Sequence, residues 1–200
     1  MAELDSNPFS TRFVRPGAID FRFDEEHNTA LLVVRLGLQQ WRGQIIGPHG
    51  TGKSTLLRTL APEIERTGRR FELVTLTQAQ RWWRPTPARV REWNSKTVVV
   101  IDGYEQLNAW SRWRLRATCR RRGAGLLVTS HEDVGLPTLF QSAVTLDLAQ
   151  AIVRDLQRGG DTLVEPGDVA ERFEARQGNL RETLFDLYDL YELRRRRSPS

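Results

Sequence analysis

The stretch Gly47-Pro48-His49-Gly50-Thr51-Gly52-Lys53-Ser54-Thr55 constrains this chain more than any other part of it. It fits the pattern G-x-x-x-x-G-K-S/T in full. It lies between a short apolar run, Gly43 to Ile46, and residues 53–67, where Leu56, Leu57 and Leu60 recur at helical spacing. A strand, a glycine loop and a helix in that order build an anion cradle. The glycines let the backbone wrap a phosphate closely. The loop N–H groups and the helix N-terminus aim converging positive dipoles at it. In this reading Lys53 reaches the β- and γ-phosphates of a nucleoside triphosphate, the Ser54 hydroxyl coordinates Mg²⁺, and Thr55 hydrogen-bonds the α-phosphate. His49 stands where the pattern accepts many residues and reads as an exposed, variable position.

The rest of the chain supplies the sheet that such a loop needs. Thr97 to Ile101 is a run of β-branched residues, the pattern of a central parallel strand buried on both faces. Phe71 to Thr77 and Gly125 to Thr129 read as further strands, Val144 to Leu148 as a possible fifth, and residues 104–121 as a helix. Residues 28–40 suit a helix or a strand, and residues 78–95, with Trp82, Trp83, Trp93, Pro85 and Pro87, suit a broken helix and loop. Strands alternating with helices predict an α/β fold with a parallel sheet. Beyond it, helices are expected over 148–158, 167–176 and 180–194, broken at Gly159-Gly160 and Gly178-Asn179. The expected organisation is therefore a core over residues 1–148, opening with an irregular leader to about residue 26, and a helical module over 149–200 with a basic tail.

Several polar residues fall where a parallel sheet binds its ligands, at the carboxyl ends of the strands. Asp102 ends the β-branched strand and is the expected partner of Mg²⁺, through water. Glu105 follows three residues later, and either polarises an attacking water as a general base or is a carboxylate favoured at a helix N-terminus. Thr129 and Ser130 end the next buried strand, placed to reach a γ-phosphate or the water, or to cap a helix. Arg181 falls in the first turn of the last helix, where a cation opposes the dipole. It is either directed at the triphosphate or paired on the surface with Glu182 or Asp186.

Charge and composition narrow the partners. The net charge is +5, and Lys53 and Lys96 are the only lysines. Two arginine clusters, Arg120 to Arg122 and Arg194 to Arg197, are either nucleic-acid contacts or solvated helix ends that complement the dipole. A single cysteine, Cys119, excludes an internal disulfide, no run of 18 apolar residues is present, and the first residues lack an apolar signal core. The expectation is a cytoplasmic protein without a membrane segment.

Together these residues resemble the AAA+ class of ATPases and the related signal-transduction NTPases, over residues 28–194. Gly47 to Thr55 looks like Walker A, Val98 to Glu105 like Walker B, Leu126 to His131 like sensor 1, and Gly178 to Glu182 like sensor 2. The resemblance implies a three-layer αβα P-loop NTPase core with a five-stranded parallel sheet and a small C-terminal helical lid. It implies ATP as the nucleotide, consistent with the lack of an N/T-K-x-D guanine motif. It also implies that Arg181 contacts the γ-phosphate and couples the lid to nucleotide state. The chain departs from the pattern in two ways. Gly103 follows Asp102 where a second acid is usual. No arginine lies between the sensor 1 strand and the next strand, although Arg120 to Arg122 could substitute as a finger. The leading expectation is a Mg²⁺-dependent ATPase or ATP-driven switch acting on an unknown protein partner or on further copies of itself. Alternatives are a small-molecule or nucleotide kinase using the tryptophan segment as an acceptor pocket, and a nucleotide-gated nucleic-acid-binding adaptor.

Overall fold

The β-branched run at Thr97–Ile101 shows how this sequence makes its sheet. In the computed structural model, which describes residues 7–15, 17–23, 26–77, 83–158, 160 and 162–197, that strand is buried along almost its whole length. Its side chains alternate between two cores. Val98 and Val100 join one apolar cluster and Val99 and Ile101 the other, as the period of 2 requires. A strand wet on one face would not tolerate five such residues in succession.

The elements in chain order are α1 (Thr11–Val14), α2 (Thr29–Leu38), β1 (Arg42–Ile46), α3 (Lys53–Arg66), β2 (Arg70–Thr75), α4 (Pro87–Glu92), β3 (Thr97–Asp102), α5 (Ala109–Arg122), β4 (Gly125–Ser130), β5 (Thr138–Gln141), α6 (Leu146–Leu156), α7 (Pro166–Ala175) and α8 (Leu180–Arg197). The five strands form one sheet in the order β2-β3-β4-β1-β5, with every pair parallel. α2 and α3 cover one face, through Leu32, Val33, Leu36, Leu56, Leu57, Leu60 and Ile64. Leu115 and Cys119 of α5, with Trp93 and Tyr104, cover the other. This is the expected three-layer αβα, P-loop NTPase-like arrangement.

The chain divides into two compact units. A sheet unit comprises Phe21–Gly47 and Lys53–Ser142, and a helical unit comprises the segment through Asp20, Pro48–Gly52 and Ala143–Ser200. Phe9, Ala149, Val153, Val164, Val169, Leu184, Leu187 and Tyr191 form the core of the helical unit. Among the described residues no helix is long and apolar enough to cross a membrane.

Two local readings are corrected, one left open is resolved, and one is extended. Residues 28–40 resolve to helix, because Asn28 accepts from the Leu31 N–H as an N-cap and Leu32, Val33 and Leu36 recur at helical spacing. Val144–Leu148 is not the fifth strand. Thr145 caps a helix there, its side chain accepting from the Leu148 N–H, and Ala149, Ile152 and Val153 continue the helical period. The fifth strand is Thr138–Gln141, whose Leu139 is fully buried. The helix expected over 104–121 is interrupted. Tyr104–Gln106 is a 3₁₀ turn, and Asn108 caps α5 by accepting from the Ser111 N–H. Among its described residues the leader is irregular apart from α1, and Phe9 in it is fully buried and meets Tyr191 edge-on at 5.9 Å. Trp82 and Gly159 lie outside the described residues.

Candidate functional site

β4 lies between β1 and β3, so the carboxyl ends of these three strands are neighbours. Lys53 opens α3 directly after the glycine loop, and its side chain is almost fully buried. Its Nζ donates to the Gly47 carbonyl at 2.5 Å and lies 3.4 Å from His131 Nδ1. Burial pushes its pKa down, and the nearby carboxylates of Glu105 and Asp102 act against that shift. A buried ammonium without two carboxylates beside it would be far costlier to hold charged.

Asp102 is held from β4. The Thr129 hydroxyl donates to Asp102 Oδ1 at 2.7 Å, and the Gly103 N–H donates to Thr129 Oγ1 at 2.9 Å. Thr129, expected near a γ-phosphate, therefore orients the acid at the end of the adjacent strand. Glu105 sits in the 3₁₀ turn that follows Gly103, whose φ of 87° is left-handed. Its Oε1 lies 3.1 Å from His131 Nε2. Its Oε2 is buried and accepts no hydrogen bond among the described residues. Orphaned buried carboxylate oxygens are rare in folded proteins and call for an explanation.

His131 is the residue the sequence analysis missed. It bridges the site, with Nε2 on Glu105 and Nδ1 3.1 Å from the Gly47 carbonyl. The available signal was its position directly after the buried strand Gly125–Ser130, at the sheet end where polar residues were sought.

The remaining loop residues, Pro48 to Gly52, group with the helical unit. Gly50 and Gly52 have φ of 72° and 87°, the region glycine alone enters freely. A Cβ on Gly50 would lie 1.9 Å from Asn179 Oδ1 and 3.1 Å from the Arg181 backbone nitrogen. The loop tip thus touches the first turn of α8. Thr51 is buried and its hydroxyl donates to the Pro48 carbonyl at 3.0 Å; His49 is exposed. The Arg181 side chain is exposed and makes no ion pair among the described residues. Asp186, one of its two candidate surface partners, takes Arg176 instead, through two hydrogen bonds of 2.6 and 2.7 Å.

Ser54 and Thr55 are half-buried in the first turn of α3. Among the described residues no three His, Cys, Asp or Glu side chains form a metal-holding group. One hydroxyl and one carboxylate, Ser54 and Asp102, fit a Mg²⁺ ion held chiefly by phosphate oxygens and water. In the tryptophan segment, Trp93 is buried and donates from Nε1 to Glu72 at 3.0 Å, so it packs the core and does not line a pocket.

No family model matches the chain, and no curated protein matches it. Solved structures do. Two structures of RuvB variants from Thermotoga maritima match with TM-scores of 0.54 and 0.55, at 16% and 17% identity, covering 80% and 86% of this chain. NtrX from Brucella abortus matches with a TM-score of 0.54 at 12% identity over 88% of this chain. The chain spans 59%, 64% and 52% of those three chains' lengths. At such identities the likeness is one of fold alone, the three-layer arrangement of a P-loop NTPase core.

Proposed function

We propose that this chain binds ATP with Mg²⁺ and hydrolyses it, using the cycle to switch its own conformation. The observation that carries the reading is Glu105: one oxygen is held by His131, the other is buried and unpartnered, and the carboxylate stands close enough to Lys53 to act on its charge. The residues of the loop, Gly47, Pro48, His49, Gly50, Thr51 and Gly52, wrap the phosphates with backbone N–H groups. Lys53 neutralises the β- and γ-phosphates, and Thr55 supports the α-phosphate. Ser54, and Asp102 through water, would hold Mg²⁺, which would offset the charge that develops on the phosphate oxygens. Glu105 Oε2 accepts a proton from a water molecule as the oxygen of that water bonds to the γ-phosphorus. The phosphoanhydride bond breaks, and its electron pair leaves on the β-phosphate oxygen of ADP. His131 fixes the direction in which Glu105 points.

In this reading residues 1–148 form the nucleotide-binding core and residues 149–200 the part that responds to nucleotide state, with Arg181 as its phosphate sensor. Its partner is another protein or a further copy, and its location is the cytoplasm. The burial of Trp93 withdraws that residue from the acceptor pocket that would have favoured a kinase.

The test is ATP turnover by the full chain with Mg²⁺ over a protein concentration series, beside equilibrium binding of a fluorescent ATP analogue, each repeated with Lys53→Met. The expected result is turnover that rises per molecule with concentration and is lost in the variant. Tight binding with no turnover at any concentration sinks the hydrolase reading and directs the search to a partner or a phosphoryl acceptor. Absence of binding sinks the nucleotide reading itself.

A further inference from the structure

α5 carries six arginines and no acidic residue in its 14 residues. They divide by direction. Arg112 and Arg116 turn inward over the Tyr104 ring, 5.5 and 5.7 Å from its centroid. There Arg112 donates to the Glu105 carbonyl, and Arg116 donates to the Tyr104 hydroxyl and the Val134 carbonyl. Arg114, Arg120 and Arg121 are exposed and make no ion pair among the described residues. Two indoles stand on the same outer face. Trp113 is 66% exposed and Trp110 is 42% exposed, with the guanidinium groups of Arg84 and Arg114 at 5.0 and 5.3 Å from the Trp110 ring. Positions 110, 113, 114, 117, 120 and 121 follow helical spacing, so they form one stripe about 17 Å long along the axis.

We propose that this stripe binds single-stranded nucleic acid. Unpaired arginines on an acid-free helix complement a polyanion, and guanidinium groups match phosphate oxygens two at a time. An acidic polypeptide would satisfy those charges, but it has no use for a tryptophan two-thirds exposed among them. Unpaired bases do, since each has a face that stacks on an indole or a guanidinium plane. A duplex hides those faces, which selects the single strand. A second copy of the chain would bring the same positive stripe against this one. Two of the four tail arginines differ. Arg194 bonds Asp168 and the Leu163 carbonyl, and Arg195 pairs with Glu192. Arg196 and Arg197 are exposed, but no tryptophan stands beside them in the sequence, so the stripe is the surface that offers both charge and stacking.

The test is fluorescence anisotropy of a labelled oligothymidylate of about twenty nucleotides with the full chain, titrated from about 50 to 200 mM salt. Trp113→Ala is expected to weaken binding about tenfold with the salt slope unchanged, while Trp113→Phe retains most of the affinity. Arg114→Gln with Arg121→Gln is expected to lower the log–log salt slope by about 1.4, the value of two phosphates on a single strand. All these side chains are exposed, so circular dichroism should show unchanged folds. Three results overturn the proposal. The oligonucleotide fails to bind at the lowest salt. Poly-glutamate of equal length binds as tightly and Trp113→Ala changes nothing, which makes the stripe a surface for an acidic protein. Or Trp113→Ala dissociates an oligomer in sedimentation while the wild type ignores the oligonucleotide, which makes it a contact between copies.

Discussion

The carboxyl end of the sheet and the outer face of α5 belong to the same unit and are both rich in charge, but they hold it in opposite ways. At the sheet end one cation, Lys53, is buried beside two acids, and the neighbouring polar groups are directed by hydrogen bonds from the next strand. On α5 three arginines stand in solvent without acidic partners. Burying a charge costs stability and persists where preorganisation matters, as it does for a group that must meet a phosphate or a water at one angle. Exposed charge costs little and adapts to a ligand that slides. The difference teaches that a cation's partners, more than its mere presence, show what it does.

The largest effect that would sharpen this contrast is expected at Glu105. Glu105→Gln keeps the shape and the contact to His131 but removes the proton acceptor. The expected outcome is a fall in turnover of about 10²- to 10⁴-fold with ATP affinity retained, read from steady-state kinetics beside equilibrium binding. His131→Phe removes the group that directs Glu105 and is expected to lower turnover by a smaller factor, again with affinity retained. Loss of affinity in both variants would mean that the pair shapes the loop and takes no part in chemistry.

Lys53→Met comes next, and it reads two quantities of opposite sign. Removing a charge-assisted contact to phosphate is expected to cost about 10- to 100-fold in ATP affinity. Burial is the larger influence on the Lys53 pKa and pushes it down, against the help of Glu105 and Asp102. A buried group disfavoured in its charged form should leave the protein no less stable when replaced by an apolar side chain of similar length. The stability read from urea unfolding is expected to be unchanged or raised, by on the order of 1 kcal/mol. A clear drop would show that the ammonium holds the site together and would remove the contrast with α5.

Much of the fold was legible because its signals are local and redundant. The β-branched run of β3, the leucine spacing of α3 and the glycine pattern between β1 and α3 each specify one element, and together they demand a parallel sheet. The errors fell where signals compete over few residues. Val144 to Leu148 alternates like a strand, but the Thr145 cap outweighed that short alternation. The true fifth strand, Thr138–Gln141, is only four residues long, and buried Gln44 holds its start, donating to Thr138 Oγ1 at 3.2 Å and to Asp133 at 2.8 Å. That long-range contact has no signature in the local sequence. The site divided in the same way. Lys53, Asp102 and Glu105 were singled out because motif and strand end coincide. His131 was passed over because its role depends on β4 lying between β1 and β3, a fact of strand order.

The smallest effects concern the two arginine clusters, which look alike in sequence. Burial pushes the Asp168 carboxyl up, but hydrogen bonds from Arg194 and from the Glu165 N–H, with the charges of Arg194 and Arg172, outweigh it and hold the group below its ordinary range. A carboxylate with a depressed folded-state pKa contributes stability above its unfolded pKa and loses it as pH falls through the folded value. Asp168→Asn is therefore expected to cost about 1 kcal/mol at neutral pH, the pair being partly exposed. It is also expected to be closer to neutral at a pH below the ordinary carboxylate range, where the wild type has lost the same contribution. Arg121→Gln on α5 breaks no ion pair, and its expected change in stability is within about 0.5 kcal/mol at any pH from 4 to 8. Urea unfolding of both variants at pH 7, and of Asp168→Asn also at a pH below the ordinary carboxylate range, checks this. Equal losses at pH 7 would mean that the α5 arginines also serve the fold, and the outer face of that helix would then have to be read as structural.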